Sequence, residues 1–145
     1  MKSRSGIIAI GIVLLAAVKV PAETPEFKVV VHESNPATSI TIDRLSQLFL
    51  RSVTTWPRGE VVVPVDQAPA TAVRAAFSEK VHGRNVPAIK GFWQRQIFSG
   101  KAVPPVEQPG DAEVIAFVSA NPGAIGYVSY GARLPDTVKV LTVKD

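Results

Sequence analysis

The chain has 145 residues, 46% of them hydrophobic, with no cysteine and a formal net charge of +4. Without cysteine there are no disulfides, no thiolate metal sites, no cysteine nucleophile and no lipid-modified N-terminal cysteine. The charge implies little, because Lys2, Arg4 and Lys19 fall in an N-terminal leader that has no acid, and without it the net charge is about +1.

That leader is the first element. Cations in MKSRSG, an apolar run from Ile7 to Val18 and the small residues of VPA make up a secretory signal peptide, with cleavage expected between Ala22 and Glu23. The apolar run is shorter than the roughly 20 residues a membrane span needs, so residues 23–145 are expected to be secreted and not embedded in a membrane. They suit one domain. FKVVV (Phe27 to Val31) reads as a buried strand closed by the turn-forming HESNPATS. Ile42, Leu45, Leu48 and Phe49 recur at helical spacing behind a Thr41 N-cap, with Asp43 in the first turn. TTWPRGE is a turn and VVVPV (Val61 to Val65) a second strand.

After a short loop, Val73, Phe77 and Val81 predict a helix that stops at Gly83. Asn85 and Pro87 open another, whose apolar face is Ile89, Phe92, Trp93 and Ile97. KAVPPVEQPG is too rich in proline for regular structure. A helix carrying Val114, Ile115, Phe117 and Val118 stops at NPG, and AIGYV and VKVLTV are the last strands. Strands alternating with helices, several of them apolar throughout, predict an α/β domain with a largely parallel sheet and helices on both faces.

The search for chemistry is mostly negative. No nucleophile elbow, zinc-protease motif, P-loop or dinucleotide fingerprint occurs, and His32 and His82 have no acid at ligand spacing, so neither an enzyme, a cofactor nor a metal site is expected. The basic residues form no run, which argues against a nucleic-acid surface. Trp56 before Pro57 is expected to close an edge of the core, and His82 to complement a helix C-terminus. Two strand-to-helix loops remain, HESNPATS and DQAPAT. Ser34, Asn35, Gln67 and Thr71, with backbone N–H groups at the helix start near Ala72, are the candidate contacts for a small tetrahedral anion. The same residues also serve as ordinary turn and helix caps.

The order of phrases carries a resemblance. LSQLFL followed by TWPRG, then FWQRQIFSGK, then NPGAIGYVSYG, is similar to the phosphate ABC transporter substrate-binding protein family over nearly all of residues 23–145. These are type II periplasmic-binding proteins, in which two α/β lobes close over a ligand, and this chain resembles a short branch built around one such lobe. The resemblance implies a periplasmic solute-binding role with phosphate or another small oxyanion as ligand, and a membrane transport component as partner. The family's loop of Arg-Ser-x-x-Ser-Gly-Thr type falls here on Gln67 at the arginine position and Ala70, Thr71 and Ala72 at the Ser-Gly-Thr positions. Only Thr71 keeps a hydroxyl, and the bidentate cation is absent, so phosphate binding is expected to be weak. The alternative is a domain that kept the fold, lost the ligand and docks on another periplasmic or membrane component.

Overall fold

The structure, a computed structural model, describes residues 16, 17 and 26–145. The expected signal peptide and its cleavage point lie outside the described residues. Six strands form one sheet: β1 (Phe27–His32), β2 (Ser39–Thr41), β3 (Val63–Gln67), β4 (Val106–Gln108), β5 (Ala124–Ser129) and β6 (Val138–Lys144), in the order β2-β6-β1-β5-β3-β4. β6 pairs with β2, and β3 with both β4 and β5, in parallel; β1 runs antiparallel to β5 and β6. The sheet is therefore mostly parallel, with β1 alone reversed at its centre.

Helices cover both faces. On one side lie α1 (Ile42–Phe49) and α2 (Ala72–Phe77), and α2 continues into a π-helical turn over Ser78–His82. α1 starts where Thr41 Oγ1 accepts the Arg44 N–H at 3.2 Å, and it buries Leu45, Leu48 and Phe49. These pack with Val29, Val31, Phe77, Ile125 and Tyr127. At the centre Phe77 stacks on Tyr127, ring centroids 3.8 Å apart and nearly parallel. On the other side α4 (Asp111–Ala120) buries Val114 and Val118 against Val30, Val65 and Val128. The alternation along β1, with Val29 and Val31 on one face and Val30 on the other, is why a continuous apolar run suits a strand with two covered faces.

α3 (Val86–Phe98) begins at Asn85, whose Oδ1 accepts the Ala88 N–H at 3.0 Å, with Pro87 in its first turn. It lies outside the two-faced sandwich, its main contact being the π-turn. Ile89 and Trp93 are buried, but Ile97 is 54% exposed. The expected core position of Ile97 is thus corrected: the last turn of α3 runs past the element it packs on.

Candidate functional site

The reversal of β1 decides which loops meet. In parallel strands the carboxyl ends share one edge of the sheet; an antiparallel strand delivers its carboxyl end to the other. Val31 pairs with Ile125 at the start of β5, and Val63 at the start of β3 pairs with Ala124. The loop after β1, with Ser34 and Asn35, therefore lies beside the beginning of β3, whereas Gln67 at the end of β3, Thr71 in the following loop and Ala72 at the start of α2 lie at its far end. A five-residue strand, roughly 17 Å, stands between them. The structure does not bring the five candidate residues into one site.

Ser34 and Asn35 serve their own turn. Ser34 Oγ and N–H both meet His32 Nδ1, at 2.8 and 3.1 Å, and Asn35 Oδ1 accepts the Ala37 N–H at 2.9 Å. Together with Pro36, Trp56, Arg58 and Gly123 they line a cleft of about 360 Å³. Trp56 is buried there, its indole N–H donating to the Gly123 carbonyl at 3.1 Å, which makes it the core-closing residue expected.

The β3 end holds a buried polar network instead of an open anion cradle. Gln67 is 1% exposed and points under α4, where its amide donates to Asp111 Oδ1 at 2.7 Å and to the Tyr127 carbonyl at 3.1 Å. Its main-chain N–H donates to Tyr127 Oη at 3.1 Å, and that hydroxyl donates to Asp66 Oδ1 at 2.6 Å. Thr71 caps α2: its Oγ1 accepts the Arg74 N–H at 3.2 Å and donates to the Ala68 carbonyl at 3.0 Å. Ala72 follows as the first helical residue.

Arg74 is the unexpected member. It lies one turn into α2 and is 5% exposed. Its Nη1 donates to the Gln67 carbonyl at 2.7 Å, its Nε lies 3.5 Å from Asp66 Oδ1, and Nη1 lies 3.5 Å from Glu107 Oε1. The guanidinium reaches back to the loop, with its Nε and Nη1 committed to the protein. Asp66 on β3 and Glu107 on β4 are joined through it.

The electrostatics follow from burial. Desolvation raises the Asp66 carboxyl above its ordinary range and outweighs the opposing pull of Arg74 and the Tyr127 hydrogen bond. The same burial, with Asp66 beside it, pushes the Tyr127 hydroxyl far up, so it acts here only as a neutral donor. At Asp111 partial burial acts upward, but hydrogen bonds from the Ser129 N–H and Gln67, with Lys28 nearby, outweigh it and hold the carboxyl low. Two acidic side chains, Asp66 and Glu107, lie against one guanidinium, a poor field for an incoming anion. Sequence reasoning missed this cluster because Glu107, Asp111 and Tyr127 are far along the chain from Asp66, Gln67 and Arg74. The one signal available was Asp66 closing an apolar strand that is otherwise without charge.

A family model described as a PBP superfamily domain matches residues 12–144. The chain belongs to the PBP superfamily. No curated protein matches it significantly in sequence. Among solved structures, this PBP domain resembles a phosphate ABC transporter substrate-binding protein from Clostridium perfringens, determined with bound phosphate, at 22% identity and a TM-score of 0.64, over 81% of this chain and 44% of that one. An ABC-type phosphate transport receptor from Vibrio cholerae aligns at 16% identity and a TM-score of 0.65, over 81% of this chain and 46% of that one. PstS from Borrelia burgdorferi aligns at 13% identity and a TM-score of 0.63, over 83% and 47%. The PBP domain spans less than half the length of these structures. At such identities the likeness is one of fold, and it agrees with the family and the α/β architecture expected from the sequence.

Proposed function

We propose that this PBP domain is a periplasmic solute-binding module of the phosphate ABC transporter substrate-binding class whose β3–α2 loop binds phosphate only weakly. The observation that carries this reading is Arg74, the cation that reaches the loop, buried and bonded to Gln67, Asp66 and Glu107. What the loop still offers is the N–H groups of Ala70, Ala72 and Val73, since those of Ala68 and Thr71 are used within the fold and those of Arg74 and Ala75 are taken by Thr71. Charge-assisted hydrogen bonds contribute roughly 1.5–3 kcal/mol each. Three neutral donors open to water fall well short of the roughly 8 kcal/mol that micromolar affinity needs.

Calorimetric titration of the protein with phosphate is expected to give a Kd no tighter than about 0.1 mM. A Kd in the micromolar range, abolished by Thr71→Ala, would overturn the reading and make the loop a true receptor site. Replacing Gln67 by Arg is not expected to restore affinity, because that side chain points under α4 to Asp111 rather than into the loop. Export is part of the same proposal: the product isolated from the periplasm should begin at Glu23, and mass spectrometry checks this. Among the described residues no helix is long and apolar enough to cross a membrane. The second reading, a domain that docks on another component rather than capturing solute, is supported by the same network, in which the polar groups at the ligand position of the fold are already satisfied.

A further inference from the structure

The end of α3 has a surface that neither reading of the anion loop uses. Phe98, its last residue, is 93% exposed, Ile97 beside it 54%, and Val103 in the following segment 64%. Ile97 and Val103 share a shallow hollow of about 380 Å³ with Arg51 and Lys101. Isolated exposed apolar side chains are ordinary; three brought together within seven residues, one of them an aromatic ring standing almost clear of its own fold, mark a contact surface.

Charge says what kind of contact. Residues 26–145 contain 13 basic and 11 acidic side chains, yet from Lys80 to Val106 there are five basic residues (Lys80, Arg84, Lys90, Arg95 and Lys101) and no acid. They are spaced singly, so they make no run, but all five are exposed. Among the described residues only Lys80 of the five is in an ion pair, with Asp145 at 3.9 Å. On α3, Lys90, Gln94 and Phe98 follow helical spacing on an exposed stripe, and Ile97, next along the stripe of Ile89 and Trp93, is exposed where the last turn runs past its packing partner. The result is a protruding aromatic tip with cations along the helix behind it and at the turn beyond it.

We propose that this face, Ile97, Phe98 and Val103 with Arg51, Arg95 and Lys101 around them, docks on an anionic phospholipid surface. A protein partner would have to provide a socket for a ring that projects this far. A bilayer interface takes up such a ring without a matching shape, while its phosphates pair with the surrounding cations. The interaction is peripheral: one aromatic side chain and a few cations give reversible, salt-sensitive attachment rather than insertion. It is independent of the anion loop, so either outcome of the phosphate titration leaves it standing.

The test uses the chain from Glu23 onward, which keeps all six strands and both cores, so that the apolar leader contributes nothing. It is mixed with vesicles of phosphatidylcholine alone, or of equal parts phosphatidylcholine and phosphatidylglycerol, and sedimented. The protein is expected to bind the anionic vesicles at about 0.05 M salt and to be released at about 0.5 M. Each cation contributes about fivefold, so Arg95→Glu with Lys101→Glu should remove binding, and Phe98→Ser should weaken it at least about tenfold. Phe98 contributes nothing to the core, so the Phe98→Ser melting temperature should stay unchanged, which separates lost docking from lost folding. Equal binding to both vesicle types, no binding to the anionic ones, or an unaffected Phe98→Ser variant would overturn the proposal. Self-association in sedimentation velocity that Phe98→Ser abolishes, without vesicle binding, would also overturn it and assign the face to a second copy of the chain.

Discussion

Arg74 compensates the buried charge of Asp66, and that is why its substitution should be felt in stability more than in ligand affinity. Removing one member of a buried pair leaves the other uncompensated, a loss of about 3–5 kcal/mol. Arg74→Ala is expected to lose that much in denaturant melts, and adding Asp66→Asn should recover a substantial part. His82 is a second residue whose environment differs from the one expected at a helix end. It stacks edge-on against Phe77, meets Ser46 Oγ at 2.8 Å, and burial, with Arg74 and Arg84 nearby, lowers its pKa from 6.5 to about 4. The fold therefore holds a neutral imidazole and not a cation that complements a dipole. The unfolded chain takes up the proton first as pH falls. Stability from this site is thus complete above pH 6.5 and is lost progressively toward pH 4, by up to about 3 kcal/mol. Urea melts across this window should show the decline, and His82→Asn should flatten it.

Among the elements, the strands missed by sequence pattern are the short edges. β2 and β4 have three residues each, and β4 lies in the proline-rich segment read as irregular. Pairing with β6 and β3 creates them, since three residues carry too little periodicity to announce a strand. The helix read through Val81 is real but changes to a π-turn at Ser78, closing on Gly83 in the left-handed region. Packing between β5 and α4 depends on a glycine: a Cβ at Gly126 would lie 2.8 Å from Cγ1 of both Val114 and Val65. Gly126→Ala is expected to cost about 1–3 kcal/mol in chemical denaturation, with Val114→Ala in the same chain relieving part of it. On α3 the contrast lies within one helix. Trp93→Ala should cost about 3–5 kcal/mol, whereas Ile97→Ser should stay within about 0.5 kcal/mol of the parent.

For the molecule as a whole, the reversed β1 separates two loops that would share an edge if every strand ran the same way. One edge then carries the Trp56 cleft and the other the Arg74 network. A ligand bridging Ser34 and Thr71 is thereby ruled out geometrically, and any weak anion binding at the β3 end should be insensitive to Ser34→Ala. Calorimetry on that variant checks the point, and a loss of phosphate affinity would contradict the arrangement described.

The sequence by itself determined most of the elements, the two apolar faces of the sheet and the family, because side-chain periodicity and capping residues are local and survive in any topology. Thr41 and Asn85 cap the helices they were expected to cap. Two things were decided only in three dimensions. The direction of β1 is one, since a buried strand reads as the same apolar run whether its neighbours are parallel or antiparallel. The other is the fate of each polar group at the β3 loop. Gln67 is the right residue type at the right place for an anion, but the partners that occupy it are Asp111 and Tyr127, distant in the chain. Whether a donor is free for a ligand depends on what the fold places within 3 Å of it, and chain spacing alone does not carry that information.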